Sequence, residues 1–449
     1  MDLTDHPEAR PDAFVLTGAF RVICRNHRYL TELADRGLKI LVLCPDSSRG
    51  QAEAVLGRPG PAAELISEVR YATGAMDRES SYNPDVFAVF QDWRDRYRIA
   101  GVFAMEEMLV EPTGLVCDML GLPSPGLRAS RVCRSKYLQR GYLAGYSPQS
   151  VVVPPSRRTA VELDSLKYPV VVKPAARHAS SGVLACDRPD EVAEVLADYP
   201  PDETVLIEQR VSGQEFSVES LVYDGEVRFS AVTRKETTDT ISRTFVELSH
   251  TILAGPTRIA GVDVTAVLTE ANRRVLRDLA FRTGVTHSEW RVTDTGEPYL
   301  MEIAARTPGD GLTLLYGLSC GRPMEAPIIR LALGEDVDYP APRRYARQVY
   351  LDHRPGILRD VVLDWPGVDV AWTGEADLWP RLRPGVPGDP PALRAVLALR
   401  GRGSRLEPLG CSDDRAVTFF VDADTEAELD EIEARVRAAL TVVVEPDGR

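Results

Sequence analysis

Two glutamates in the segment 286–309 have the residue type and spacing of a metal site. Asp294-Thr295-Gly296 is a turn signal between two runs rich in aromatic and branched residues, which predicts a β-hairpin. A turn centred on Thr295-Gly296 places Glu289 directly across from Glu302, where like charges repel unless a cation lies between them. Hard divalent cations, Mg²⁺ above all, suit such carboxylates and share their remaining ligands with substrate phosphates. A loop one residue longer or shorter would send the side chains to opposite faces, so a solvated hairpin edge is the alternative.

Two of the few lysines are candidates for binding phosphate. Only five of the 53 basic side chains are lysine, so arginine supplies nearly every general surface charge. A lysine ammonium is a compact charge that suits a phosphate group. Lys173 ends a buried-strand pattern and precedes the small-residue loop AARHASSG (175–182), whose backbone N–H groups could approach a phosphate. Lys136 lies at a predicted helix start, and a solvated surface charge is the alternative for each lysine.

Composition excludes several classes of protein. The 449 residues suffice for about three domains, and the net charge of −14 argues against a general nucleic-acid or anionic-membrane binder. Seven dispersed cysteines without C-x-x-C spacing fit a reducing cytoplasm and no structural zinc. The acidic N-terminus lacks the apolar segment of a signal peptide, and no run approaches the ~18 apolar residues of a membrane span. We therefore expect a cytoplasmic protein without nucleic-acid or membrane partners.

The element pattern predicts three parts. Residues 1–125 alternate strands with helices, which predicts a small open parallel α/β domain; it has no G-x-G-x-x-G motif, so no dinucleotide site is assigned there. Residues 126–335 contain a hairpin joined at Asp224-Gly225 and then a polar segment, 235–249, that is expected to be a loop. Residues 336–449 end in a strand and a charged amphipathic helix, which predicts an α+β domain.

The middle part resembles the ATP-grasp ligases. A first lysine, a strand ending in a second lysine, a small-residue loop, a glutamate-containing segment and the two-glutamate hairpin occur in the family's order over about 170 residues. The matching residues are Lys136, Lys173, Ser180-Ser181-Gly182, the segment from Glu208 to Glu215, Glu289, Glu302 and Arg306. The resemblance implies an α/β (α+β) architecture in which an ATP-grasp fold over 126–335 holds nucleotide and metal. A small open parallel α/β domain would precede it and an α+β domain would follow it.

The resemblance implies an ATP site built from four features. Lys136 and Lys173 would contact the ATP phosphates. The loop that contains Ser180, Ser181 and Gly182 would close over them and exclude water. Four consecutive residues would form the hinge that holds adenine, partly through backbone groups: Glu208, Gln209, Arg210 and Val211. Glu215 would accept ribose hydroxyls, and the alternative for the two glutamates of this segment is an exposed strand charge.

The hairpin would then hold the metal and a catalytic cation. The resemblance implies that Glu289 and Glu302 bind one or two Mg²⁺ (or Mn²⁺) ions bridging the phosphates. Arg306, two strand steps beyond Glu302, would act with Lys173 on the γ-phosphate and then on the oxyanion at the attacked carbonyl. A salt bridge to a neighbouring carboxylate is the alternative for Arg306. Many ATP-grasp enzymes carry Glu-x-Asn where this chain has Ala304, so a water or another group would replace the asparagine oxygen.

Within the superfamily, the chain looks most like the L-amino-acid ligases (dipeptide synthetases). The long polar segment before the hairpin and the C-terminal pattern from Asp413 to Glu426 carry this likeness. It implies an ATP-dependent ligase that joins a carboxylate to an amine, both expected to be amino acids. The reaction would pass through an acyl phosphate and release ADP and phosphate. Bicarbonate activation of the biotin-carboxylase type and a non-catalytic nucleotide-binding module are the alternatives, and a homodimer is the default oligomeric state.

Five residues are predicted to border the substrates: His250, His287, Arg306, Gly309 and Asp310. In the dipeptide ligases a histidine near the position of His250 borders the amino-acid site, and when protonated it could bind the acceptor's carboxylate. The alternative is a histidine on a surface loop. His287 shares a strand face with Glu289, which makes it a candidate third metal ligand or substrate contact. Asp310 is predicted to face the amine substrate and to favour a cationic one.

Overall fold

The computed structural model of the protein describes residues 10–446, apart from residues 77, 178–179 and 377. Most of the acidic N-terminal segment and residues 178–179 of the small-residue loop lie outside this part of the chain. No helix in the described part is long and apolar enough to cross a membrane. All seven cysteines lie within it, and each is a free thiol.

A four-stranded parallel sheet with helices on both faces forms the N-terminal part. Its elements are β1 (Asp12–Thr17), α1 (Phe20–Arg25), α2 (Arg28–Asp35), β2 (Lys39–Pro45), α3 (Arg49–Leu56), α4 (Pro61–Leu65), β3 (Ile66–Ala72), α5 (Asn83–Arg96), β4 (Arg98–Ala104) and α6 (Val110–Leu120). The strand order is β3-β2-β1-β4. Along β1, Phe14 and Leu16 pack with α1 and α2, whereas Val15 packs on the other face with α5. The predicted parallel sheet is confirmed.

Two helices and a small antiparallel sheet follow. The elements are α7 (Leu127–Val132), α8 (Lys136–Tyr142), β5 (Ser150–Val153), β6 (Val170–Pro174), β7 (Leu184–Cys186), α9 (Pro189–Asp198) and β8 (Val205–Gln209). The strands lie in the order β5-β8-β6-β7, and α9 packs on the sheet through Val192 and Leu196. Lys136 begins α8 and Lys173 lies near the end of β6, so both predicted lysines stand at the ends of elements.

A nine-stranded sheet joins the middle of the chain to its C-terminal part. The elements from the middle are β9 (Gln214–Tyr223), β10 (Glu226–Thr237), β11 (Glu247–Ile252), β12 (Arg258–Ile259), β13 (Val262–Asp263), α10 (Val264–Asp278), β14 (Gly284–Val292), β15 (Pro298–Ala304), α11 (Leu312–Cys320), α12 (Glu325–Ala332) and β16 (Tyr345–Tyr350). Those from the C-terminal part are β17 (Gly356–Leu363), β18 (Val370–Trp372), α13 (Thr373–Ala376), β19 (Ala392–Ala398), β20 (Arg405–Leu406), β21 (Val417–Ala423), α14 (Glu426–Ala439) and β22 (Leu440–Glu445).

The order of strands in this sheet is β15-β14-β9-β10-β11-β16-β21-β19-β18. Because β16 lies between β11 and β21, the sheet continues without interruption across residue 335. The C-terminal part also forms a separate three-stranded sheet with the order β20-β17-β22. The division of the chain at residues 125 and 335 stays a prediction.

The polar segment 235–249 is a loop only in its middle. Strand β10 runs on to Thr237 and β11 already begins at Glu247, and the register pairs Lys235 with His250. The loop prediction was therefore wrong at both ends. Its physical reason is that Lys235 and Glu247, at the two ends, line a polar cavity, so their polarity does not indicate exposure to solvent.

Candidate active site

The hairpin of β14 and β15 places Glu289 opposite Glu302, as predicted. The reason differs from the predicted one. Val292 pairs with Pro298 across a five-residue loop, a register that on its own would set Glu289 against Met301. A bulge between Glu289 and Trp290 leaves Met301 as the extra residue, and this shift restores the pairing of the two glutamates.

A lysine ammonium contacts each of the two carboxylates. Lys136 Nζ donates to Glu302 Oε1 at 2.9 Å, and Lys235 Nζ donates to Glu289 Oε1 at 2.5 Å. Burial would raise the pKa of Glu289, but Lys235 and His287 hold it well below its usual value. The donor set therefore suits Mg²⁺, because carboxylates that stay ionised are the oxygen ligands this ion prefers. No group of three or more His, Cys, Asp or Glu side chains among the described residues could hold a metal alone, so phosphate or water would complete its shell.

A buried ion-pair cluster fixes the second predicted lysine. Lys173 Nζ lies 2.7 Å from Glu208, whose carboxylate also binds Arg140 through two hydrogen bonds of 2.6 and 3.1 Å. Burial, together with the neighbouring Arg140 charge, lowers the pKa of Lys173 to about 8 despite the attraction of Glu208. The Glu208 side chain is thus committed to Lys173 and Arg140, and an adenine contact from this residue would have to come from its backbone.

Two adjoining cavities meet at these side chains. The first, of about 150 Å³, brings together nine of the predicted residues: Lys136, Lys173, Ser180, Ser181, Glu215, His287, Glu289, Glu302 and Arg306. Gly182 and the predicted hinge from Glu208 to Val211 do not line it. Ser180 Oγ donates to the Phe245 carbonyl oxygen at 3.0 Å, so the small-residue loop is tied to the segment before β11. We name this first cavity the nucleotide cavity.

Two basic groups near these carboxylates were missed by the sequence reasoning: Arg291, which lines the nucleotide cavity, and Lys235, which lines the adjoining cavity. Lys235 is almost fully buried, with carboxylate oxygens of Glu215 and Glu247 at 3.6 and 3.9 Å in addition to Glu289. Arg291 Nη2 lies 2.8 Å from Glu215, and burial still raises the pKa of Glu215 above its usual value. The rarity of lysine in the chain was the one signal that could have marked Lys235 as a site residue.

The second cavity, of about 240 Å³, is lined by all five predicted substrate residues, namely His250, His287, Arg306, Gly309 and Asp310. We name it the substrate cavity. It shares Glu247, His287, Glu289 and Arg306 with the nucleotide cavity, and it adds residues that were not predicted: Arg25, Glu106, Glu107, Asp413 and Arg415. Its wall thus combines the N-terminal sheet edge, the nine-stranded sheet and the loop before β21.

Asp310 is held by two basic groups. Its carboxylate accepts from Arg415 at 2.5 and 3.1 Å and lies 2.7 Å from His250 Nε2. Burial would raise the pKa of Asp310, but Arg415 and His250 keep it well below its usual value. His250 Nδ1 is buried without a hydrogen-bond partner among the described residues, so neither ring nitrogen of this histidine is directed at a substrate. The predicted contact of Asp310 with the amine stays a prediction, since both its oxygens already accept hydrogen bonds.

Arg306 and His287 are likewise oriented by carboxylates. Arg306 Nε donates to Glu107 at 2.7 Å, so the alternative of a salt bridge is present, and its Nη1 donates to the Thr307 carbonyl at 2.7 Å. His287 lies between Glu219, 2.6 Å from Nδ1, and Glu289, 3.2 Å from Nε2. Burial would lower the pKa of His287, but the two glutamates raise it above its usual value. His287 therefore holds Glu289 in place from behind.

Comparison with known proteins agrees with this geometry. Residues 166–313 match the ATP-grasp domain family. The chain is 37% identical over 119 residues to a D-alanine–D-alanine ligase of Hydrogenovibrio crunogenus, which covers 25% of this chain and 37% of that protein. It is 25% identical over 265 residues to dapdiamide A synthase of Enterobacter agglomerans, covering 55% and 59%, respectively. An alanine–anticapsin ligase of Bacillus subtilis is 24% identical over 268 residues, covering 52% and 54%.

The matches span less than two thirds of the length of each of these relatives. Solved structures cover nearly the whole chain. The L-amino acid ligase from Bacillus licheniformis has a TM-score of 0.73 at 17% identity and covers 97% of this chain and 100% of that one. A biotin carboxylase from Campylobacter jejuni has a TM-score of 0.60 at 11% identity, covering 96% and 92%. The predicted ATP-grasp fold, with its parallel N-terminal domain, is confirmed.

Proposed function

We propose that this ATP-grasp protein is an ATP-dependent carboxylate–amine ligase that joins two amino acids. One observation carries the proposal: Glu289 and Glu302 face each other in a cavity that also holds Lys136, Lys173 and Arg306. Paired carboxylates with basic groups around them suit a metal-bound triphosphate. The relatives named D-alanine–D-alanine ligase and alanine–anticapsin ligase support an amide bond between amino-acid-like substrates.

The nucleotide cavity would hold ATP. Lys136 and Lys173 would donate to its phosphates, and Glu215 would accept from the ribose hydroxyls. Glu289 and Glu302 would hold Mg²⁺ (or Mn²⁺), which neutralises phosphate charge when bound. Ser180 and Ser181 line this cavity, where they would help to shield an acyl phosphate from water.

Arg306 would serve both halves of the reaction because it lines both cavities. A donor carboxylate would attack the γ-phosphorus and give an acyl phosphate and ADP. The unprotonated amine of the acceptor would then attack the carbonyl carbon and expel phosphate, and the amine's proton would leave with the phosphate as the amide forms. Glu107 and the Thr307 carbonyl hold two nitrogens of the Arg306 guanidinium, and within the described residues Nη2 has no hydrogen-bond partner. That nitrogen could donate to the oxygen on which negative charge develops.

ADP release from ATP and Mg²⁺, measured over pairwise mixtures of the common amino acids with mass spectrometry of the products, tests this function. ADP that appears only with a particular pair, together with a product of the summed mass minus water, would support it. Glu302→Ala should abolish the release, whereas the matched variant Glu297→Ala should keep it, because Glu297 is exposed in the loop of the same hairpin. ADP release that requires bicarbonate and no amino acid would support the carboxylase alternative instead. Release by neither the wild type nor any variant would favour a nucleotide-binding module.

A further inference from the structure

One basic side chain of the substrate cavity has no carboxylate partner. Four lysine or arginine side chains line the cavity: Arg25, Lys235, Arg306 and Arg415. The last three each lie within ion-pair distance of a carboxylate. No carboxylate in the described part of the chain lies within 4 Å of the Arg25 guanidinium. Asp310 and Glu106 favour the charge of Arg25 only from a longer distance. A half-buried cation that no carboxylate contacts can take an anionic ligand in this cavity.

The position of Arg25 is well defined. It is the last residue of α1, and its carbonyl oxygen accepts from the Trp379 backbone N–H at 3.1 Å. Its guanidinium carbon lies 5.0 Å from the centre of the Trp379 ring, so the indole supports one face of the side chain. Burial lowers the pKa of Arg25, whereas the pKa of Arg306 is raised by its carboxylate partner Glu107 against the effect of burial. A bound carboxylate would raise the pKa of Arg25, as Glu107 already does for Arg306.

The same cavity also contains a carboxylate without a basic partner. Glu106 Oε2 accepts from the Ala19 backbone N–H at 2.6 Å. No basic side chain of the described residues lies within 4 Å of this carboxylate. Arg25 and Glu106 thus offer one positive and one negative group to a ligand. This pair is complementary to a zwitterion, which places an amino group and a carboxylate a short distance apart.

We propose that Arg25 binds the carboxylate of the acceptor amino acid and thereby makes the protein select acceptors with a free carboxylate over their amides. The inference rests on the proposed function. In that reaction the donor's carboxylate is consumed, whereas the acceptor's carboxylate stays ionised throughout. A guanidinium can donate two parallel hydrogen bonds to it. His250, predicted as the partner of this carboxylate, is bound to Asp310 through the one ring nitrogen that has a partner.

Competition between acids and amides tests the inference. Protein, Mg²⁺ and ATP are incubated with an equimolar mixture of the common L-amino acids and the carboxamide of each. The products are separated by chromatography, and their molecular masses are measured. The wild type should form peptide acids at least about 10-fold faster than peptide amides. Arg25→Met should raise the acceptor KM and bring this ratio close to one, since losing a hydrogen-bonded charge pair costs on the order of 10- to 100-fold. Arg25→Lys should restore part of the preference.

Two controls separate this inference from the proposed function. Hydroxylamine, an acceptor without a carboxylate, should trap the acyl phosphate as hydroxamate equally well in the wild type and in Arg25→Met. Arg21→Met, an exposed substitution on the same helix, should keep the wild-type ratio of acids to amides. The role of Arg25 would be overturned, but not the ligase function, by either of two results. The wild type could form both product types equally, or Arg25→Met could keep the full preference while hydroxamate forms normally. Absence of ADP, hydroxamate and peptide in the wild type would overturn the ligase function and this inference with it.

Discussion

Glu208→Gln is expected to shift the pH range in which the protein binds ATP. The pKa of Lys173 is about 8, because burial and the Arg140 charge disfavour the ammonium while Glu208 favours it. A phosphate needs the charged ammonium, so wild-type affinity should be full below about pH 8 and should fall as the pH rises through that value. Glutamine keeps the shape of Glu208 but removes the favourable charge. Lys173 should then lose its proton at a lower pH.

The distances give the size of this shift. Two unit charges 2.7 Å apart, as in the Lys173–Glu208 pair, attract by about 6 kcal/mol at an effective dielectric constant of about 20. Most of this attraction offsets the cost of burying both groups. Hydrogen bonds to charged groups retain a net value of about 1.5–3 kcal/mol. Because one pH unit corresponds to about 1.4 kcal/mol, the midpoint should fall by about 1 to 2 pH units. Arg140 keeps its 2.6 Å hydrogen bond to the Met301 carbonyl, which should help the variant to fold.

Calorimetric titration with a non-hydrolysable ATP analogue and Mg²⁺, from about pH 6 to 9.5, measures the midpoint. Lys173→Met should remove the midpoint near pH 8 altogether, whereas Lys167→Met, at an exposed lysine six residues earlier, should leave it in place. Thermal unfolding of each variant confirms that the protein is folded. An unchanged midpoint in Glu208→Gln, or wild-type affinity that is flat between pH 7 and 9, would refute the reasoning about this buried cluster.

Three further substitutions have defined outcomes. Lys235→Met removes a buried cation that three carboxylates share and should cost about 3–5 kcal/mol. This is seen as a lower urea midpoint than that of the exposed-site control Lys39→Met; equal midpoints would contradict it. Arg306→Met should lower kcat for amide formation by about 100- to 1,000-fold with little change in the KM for ATP, measured by ADP release. A raised KM with unchanged kcat would assign Arg306 to binding alone. Asp310→Ala should weaken all acceptors alike in a product assay, because this carboxylate holds Arg415 and His250. A loss confined to cationic acceptors would instead support direct contact with the amine.

The sequence was sufficient to predict the two-glutamate hairpin, but not the details that position it. The turn residues and the strand pattern were local signals, and the pairing of Glu289 with Glu302 followed from them. The bulge at Met301 left no such signal. For Lys235, by contrast, the local turn signal indicates the wrong pairing. A turn at Asp224-Gly225 in simple register would set Arg234 against Glu215, and a bulge between Val227 and Phe229 brings Lys235 there instead.

The walls of the substrate cavity could not be predicted for a different reason. Glu107 and Arg306 form an ion pair although they are 199 residues apart, and Asp310 and Arg415 are separated by 105 residues. No periodicity or turn signal connects such positions. Their contacts depend on how the N-terminal sheet and the β21 strand are placed against the nine-stranded sheet. Arg25 and Glu106 were missed for this reason, since each is an ordinary charged residue in its local sequence.

The acyl phosphate is the central claim, and transfer of oxygen tests it most directly. A donor amino acid labelled with ¹⁸O at both carboxylate oxygens is incubated with ATP, Mg²⁺ and the acceptor, and the released phosphate is analysed by mass spectrometry. Attack of that carboxylate on the γ-phosphorus followed by amide formation requires one ¹⁸O atom in each phosphate released. Unlabelled phosphate alongside amide product, or release of AMP and pyrophosphate in place of ADP, would contradict the account.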